Sequence, residues 1–274
     1  MPICRFIFLS ICGLAVAVLP ARAAVVVDEY ALRGTLADTL GGPALGATGG
    51  QITPLGYVFA ANQGLTLSNP ALSSTSFSIE LSFKFDVTSG YRKIADFHNL
   101  ADDTGLYQLN GNLNFYPVTT ASQADFAPGV DVHLVLTRDG ATNTVVGYVN
   151  GQQRFSFLDT SPLATITAAN NRLTFFIDDF ATSQGEASGG MLNYLRLYNG
   201  ALTATEVSAA FAAGAPLSVP EPGTAGLLVA GGAIMFVARR RSRDGTGPTP
   251  RHRPPPDSCR RWMGQPRPQN RQLL

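Results

Sequence analysis

The stretch Ser76–Val87, SFSIELSFKFDV, sets Phe77, Ile79, Leu81, Phe83 and Phe85 on one side of the chain. Ser78, Glu80, Ser82 and Lys84 fall on the other. Alternation with period two marks a strand that lays one face on a core. The same signal continues downstream. GLYQLNGNLNFYP (105–117) has strand residues on both sides of Asn110-Gly111, and VVGYVNGQQRFSF (145–157) repeats this around Asn150-Gly151. Asn-Gly adopts the positive φ of a type I′ turn, so both read as tight hairpins. VHLVLTRDGATNTVVGYV (132–149) adds a looser hairpin at Asp139-Gly140, and RLTFFIDDF (172–180) and MLNYLRLY (191–198) add two strands. One helix stands out in TATEVSAAFAAG (203–214), where Thr203 and Glu206 form a capping box and Gly214 closes the last turn. Many short strands joined by Gly/Asn turns predict an all-β, antiparallel jelly-roll sandwich with a short helix near its end.

Composition agrees with one globular body. The chain has 274 residues, 45% hydrophobic and 14% charged, with 28 glycines. Its formal net charge of +1 hides an asymmetry. Between Ala24 and Val219, 16 Asp/Glu face 8 Lys/Arg, a balance of −8; from Arg239 onward, 10 Arg face Asp244 and Asp257, a balance of +8. An acidic body argues against nucleic acid as a partner. The three cysteines, Cys4, Cys12 and Cys259, lie outside it, which excludes body disulfides and Cys/His zinc sites.

Both ends carry membrane signals. Residues 1–23, MPICRFIFLSICGLAVAVLPARA, join Arg5, an apolar run, Pro20 and the small-residue pattern Ala21-Arg22-Ala23. This is the layout of a secretory signal peptide cleaved between Ala23 and Ala24, and it implies the general secretory machinery. Near the other end, VPEPG (219–223) precedes an uncharged run of 16 residues, Gly223 to Ala238. That run spans about 24 Å as a helix, and arginines at its end snorkel to complete a single transmembrane crossing. Arg239, Arg240, Arg241 and Arg243 stay cytoplasmic by the positive-inside rule, so the body faces outward. Prolines on both sides of Glu221 keep that segment extended and accessible.

These residues resemble the PEP-CTERM domain of exported bacterial proteins: Pro220-Glu221-Pro222, then the apolar run, then Arg239 to Arg241. The resemblance implies recognition by an exosortase, a membrane-embedded transpeptidase of Gram-negative bacteria that make exopolysaccharide. It further implies removal of the helix and handover of the body to the cell surface or extracellular matrix. A plain single-pass anchor is the alternative. The sequence departs from such signals in one respect, since a Pro/Arg-rich tail (244–274) follows and reads as disordered. The chain thus divides into a signal peptide (1–23), a body (24–216), a sorting signal (217–243, helix about 223–238) and this tail.

The body has a resemblance of its own. SFSIELSFKF, HLVLTRDGATNTVVGYVNGQ and LNYLRLYNGALTATEV are similar to the laminin-G-like branch of the concanavalin-A-like jelly rolls. Glycosidases need two carboxylates projecting together, and Glu80 stands alone on its strand. His98, His133 and His252 give no ligand spacing, and His133 reads as preceding a strand. No nucleophile elbow or phosphate loop occurs, so the body is expected not to be an enzyme. Asp178-Asp179 ends a strand and opens into a polar loop with Glu186, while Asp102-Asp103 precedes TGLYQL. Carboxylates on loops suit calcium, and the resemblance strengthens Asp178 and Asp179 as its candidate ligands. Such pairs equally serve as turn caps or solvated rim charges. Tyr107, Phe115, Tyr116 and Tyr148 are candidate sugar platforms, against the usual fate of aromatics as core; the sole tryptophan, Trp262, is in the tail. The expected function is a non-catalytic carbohydrate-binding or adhesive module with exopolysaccharide as partner. The alternatives are a structural matrix component without a specific ligand and a glycan-cleaving enzyme.

Overall fold

The computed structural model describes residues 24–166 and 171–214. The stretches read as signal peptide, sorting signal with its apolar helix, and Pro/Arg-rich tail lie outside the described residues. Among the described residues no helix is long and apolar enough to cross a membrane.

In chain order the strands are β1 Val25–Tyr30, β2 Gly46–Ala47, β3 Gln51–Thr53, β4 Gly56–Phe59, β5 Leu65–Ser68, β6 Phe77–Phe85, β7 Tyr91–Asp96 and β8 Gly105–Leu109. They continue with β9 Asn112–Tyr116, β10 Thr119–Ala124, β11 Val132–Asp139, β12 Thr144–Val149, β13 Gln152–Leu158, β14 Arg172–Phe175 and β15 Gly190–Asn199. Helix α1, Ala204–Ala213, follows β15. Two antiparallel sheets result, as expected for a jelly-roll sandwich. One runs β13-β12-β11-β6-β15-β4-β3, and β1 pairs with the far half of β15 along the edge that β4 shares. The other runs β10-β9-β8-β7-β14-β5-β2.

The alternation in β6 puts Phe77, Ile79, Leu81, Phe83 and Phe85 between the sheets, all buried. Phe83 meets Phe85 with ring centroids 5.0 Å apart and Phe176 at 5.1 Å, and Phe59 stacks on Phe176 at 4.6 Å. Both Asn-Gly hairpins form, with φ of 50° and 90° at Asn110 and Gly111, and 51° and 75° at Asn150 and Gly151. Thr203 caps α1 with the reciprocal Glu206 contact, and Gly214 ends it.

Three local expectations change. The outer side of β6 is not simply solvated: Ser78 and Glu80 are fully buried. Helix α1 docks over this face, and Val207 packs with Val135, Tyr148, Tyr198 and Leu202 in a second, smaller apolar cluster. His133 does not precede a strand; it is the second residue of β11 and pairs with Ser82. The segment before Asp178-Asp179 leaves strand geometry at Phe175, because Phe176 turns to φ 61° to bury its ring in the aromatic cluster. The acidic pair therefore lies in a loop, two residues beyond that turn.

Candidate functional sites

Two polar centres are built on this frame. The first sits on the outer face of the larger sheet, where β1, β15, β6, β11 and β12 run side by side. Register places Glu29 opposite Arg196, Arg196 opposite Glu80, Glu80 opposite Val135, and Val135 opposite Tyr148. Outward residues of β15 alternate as Tyr194, Arg196 and Tyr198, and all three reach Glu80. Tyr194 donates its hydroxyl to Glu80 Oε1 at 2.9 Å, Tyr198 donates to Oε2, and Arg196 Nη1 lies 3.4 Å from Oε1. His133 Nε2 lies 3.0 Å from the same Oε1. An ionised carboxylate only accepts, so Nε2 carries a proton towards it, and Nδ1 is buried without a partner. Burial by itself pushes the Glu80 carboxyl up, but the bonds from His133 and Tyr198, the Arg196 charge and the Tyr194 hydroxyl outweigh it. They hold the group below the usual glutamate value. Arg196 also donates Nε to Glu29 Oε2 at 2.8 Å, so one guanidinium ties two carboxylates.

Beside this network lies an open depression of about 200 Å³, bounded by Ser82, Asp131, His133, Asn150, Tyr194 and Phe211. The Phe211 ring, 45% exposed, lies 5.5 Å from that of His133.

The second centre joins acidic residues far apart in sequence. Asp103, Asp178 and Glu186 present oxygens that all lie within 4.8 Å of one another. Asp179 borders them, its carboxyl beside that of Asp103. Backbone amides fix the loop around these groups: Asp178 accepts from Asp179 N at 3.0 Å and Glu186 N at 2.7 Å, and Asp179 Oδ1 accepts from Ala181 N and Thr182 N. Lys93, fully buried on β7, supplies a cation. It lies 3.3 Å from Asp96 Oδ2 and donates to the Tyr107 hydroxyl at 2.8 Å and to Thr104 O at 3.2 Å. The ammonium pairs directly with Asp96, and its charge acts on Asp103, Asp178, Asp179 and Glu186 from further off.

The imbalance shows in their acidity. The Asp179 carboxyl beside it, then burial, pushes the Asp103 carboxyl up to about 6. Burial raises Asp178 and Glu186, each with added repulsion from its acidic neighbours. For Asp179, burial is outweighed by the neighbouring Asp103 side chain and the two backbone amides, so that group is lowered. Asp103 Oδ1 and Asp179 Oδ2 are buried with no donor. A hard cation fits this all-oxygen set with spare acceptors. Asp102, by contrast, turns away to His98 Nδ1, 3.0 Å distant, and to Thr104 N.

The sequence pairs Asp102-Asp103 and Asp178-Asp179 are therefore partly brought together, with Glu186 completing the set. The candidate platforms Tyr107, Phe115 and Tyr148 are buried, and Tyr116 is half-buried. Sequence reasoning missed the partners of Glu80 and the buried Lys93. The available signal was Tyr194-x-Arg196-x-Tyr198, a polar alternation opposite Leu195 and Leu197.

This architecture has known relatives. Residues 59–208 match the family described as the concanavalin A-like lectin/glucanases superfamily, which is more than half of the chain. The chain belongs to that superfamily. Residues 218–242 match the PEP-CTERM protein-sorting motif, which implies export and processing by an exosortase. Pro220, Glu221, Pro222 and Arg239 to Arg241 fall inside that match. No curated protein sequence is similar to the chain.

Among solved structures the superfamily fold recurs at low identity. Domain 4 of an extracellular GH43 arabinanase from Geobacillus stearothermophilus, in complex with arabinotriose, is 20% identical. The match has TM-score 0.50 and covers 68% of this chain and 98% of that one. The binding domain of botulinum neurotoxin serotype D is 10% identical, with TM-score 0.51 over 69% of this chain and 52% of that one. Trypanosoma rangeli sialidase is 13% identical, with TM-score 0.51 over 70% of this chain and 33% of that one. These likenesses establish the concanavalin-A-like fold.

Proposed function

We propose that the body is a non-catalytic, carbohydrate-binding or adhesive module, delivered by its sorting signal to the cell surface or extracellular matrix. In this reading Asp103, Asp178 and Glu186 hold calcium. The observation that carries the metal is the set of Asp103, Asp178 and Glu186 oxygens within 4.8 Å of one another, with donorless oxygens on Asp103 and Asp179 and a single nearby ammonium already paired with Asp96. Unpaired buried charge is costly, and a divalent cation offsets it where one ammonium does not. Calcium suits the set, since it takes six to eight oxygens, including loop carbonyls.

One feature favours binding over cleavage: Glu80 is held ionised by four neighbours, whereas a glycosidase acid needs a raised pKa. The arabinotriose complex of the arabinanase domain supports a glycan as the ligand class.

The test uses the full chain in detergent, with immobilised exopolysaccharide from its own host. With calcium, retention is expected; with EGTA it falls to background, and D178N and E186Q abolish the calcium effect. Calcium at a hundredfold over its Kd stabilises by about 2.7 kcal/mol, a melting shift of roughly 5–10 °C. Equal melting and retention in EGTA overturn the metal assignment. No retention in either buffer overturns the carbohydrate-binding reading and leaves a structural matrix component. New reducing ends overturn the non-catalytic reading.

A further inference from the structure

We propose that the depression beside α1 is a subsite for one neutral pyranose ring of a glycan; this rests on the carbohydrate-binding reading and locates its contact away from the acidic rim. Size sets the first limit. About 200 Å³ corresponds to roughly six or seven waters at about 30 Å³ each, which suits one sugar ring and not an extended peptide. The lining sets the chemistry. Phe211 offers an exposed ring face of the kind on which the C–H face of a sugar packs. Around it stand hydrogen-bonding groups with capacity to spare.

Asn193 Nδ2 donates to Asp131 Oδ1 at 2.8 Å and to Ser82 Oγ at 3.3 Å. That fixes both partners while leaving Asp131 Oδ2 and the Ser82 hydroxyl hydrogen uncommitted. Asn150 uses its Oδ1 to accept from His133 N at 3.0 Å, and its Nδ2 has no bond among the described residues. Asp131 Oδ2, the Ser82 hydroxyl and Asn150 Nδ2 thus offer one acceptor and two donors beside an aromatic side chain, a set that vicinal hydroxyls satisfy, since each both donates and accepts.

Among the described residues no Lys or Arg lines the depression, and Asp131 is carried on its border, so phosphates and uronic acids are disfavoured. The positions are rigid. Glu80 pins His133 and Tyr194, the Asn150-Gly151 hairpin holds the amide, and Gly151, at φ 75°, lies close against Phe211, where an added Cβ would come within 3.2 Å of the ring. A preorganised site of this kind loses little entropy when it binds.

The experiment titrates the full chain in detergent with the methyl glycosides of glucose, galactose, mannose and N-acetylglucosamine, read by saturation-transfer NMR. Binding of at least one glycoside is expected. F211A and D131A each weaken it about tenfold with unchanged melting, and F211Y restores it. Undiminished binding in both variants, or no glycoside bound by the intact chain, overturns the assignment. Exopolysaccharide retention that both variants keep overturns the pocket alone; absent retention by the intact chain overturns the wider reading on which it rests.

Discussion

Replacing Glu80 with leucine is expected to destabilise the body by about 3–5 kcal/mol, the usual cost of removing one partner from a buried ionic network. In melting terms this is roughly 6–20 °C for a domain of this size. The leucine leaves the Tyr194 and Tyr198 hydroxyls and His133 Nε2 without their acceptor, beneath α1, where water does not replace it. Arg196 keeps Glu29, which limits the loss. E80Q retains shape and one acceptor oxygen, so about 1.5–3 kcal/mol is expected from the lost charge-assisted bonds. Melting of both variants beside the intact chain checks this, and a change under 0.5 kcal/mol for E80L, the size of a surface substitution, would sink it.

The same network sets a pH dependence. The folded Glu80 carboxyl lies below its ordinary value of 4.5, so its contribution is present above that pH. It is lost as pH falls through the lower folded value, because the unfolded chain binds the proton first. The acid limb in E80Q is expected to be shallower than in the intact chain.

How much of this was written in the sequence differs from element to element. The β6 alternation, the two Asn-Gly hairpins and the Thr203/Glu206 box are local signals, each complete within a dozen residues, and each formed. The burial of Glu80 was not legible in the same way. Its partners stand 53, 114, 116 and 118 residues away, and only antiparallel register lines them up. Alternation tells which side of β6 Glu80 takes; it does not tell that α1 later returns to roof that side. The acidic rim shows the same limit. Asp103 and Asp178 were each visible as half of an Asp-Asp pair, but their meeting depends on β14 lying beside β7 and β8 lying beyond it. The buried Lys93 carried no sequence signal, since a lone lysine after an arginine ordinarily reads as solvated.

Changing Pro220, Glu221 and Pro222 to alanine is expected to abolish maturation, the largest effect foreseen for this chain. The matched sorting motif spans 218–242, and its first part is the one place where two prolines prevent helix. Three alanines reverse that. Alanine is the best helix former, so the variant removes the sequence features that disfavour helix at 220–222. The fixed carboxylate of Glu221 goes with them. The check is the intact mass of the protein from its own host's surface and membrane fractions. The unaltered chain is expected to end near Pro220 to Pro222 in the surface fraction. The triple variant is expected to run from Ala24 to Leu274 and to stay with the membrane. A variant carrying only E221Q separates the two causes, because it removes the charge and keeps both prolines. If the unaltered chain itself runs from Ala24 to Leu274 in the membrane, the apolar run is a permanent anchor. The module would then work tethered to the cell that made it.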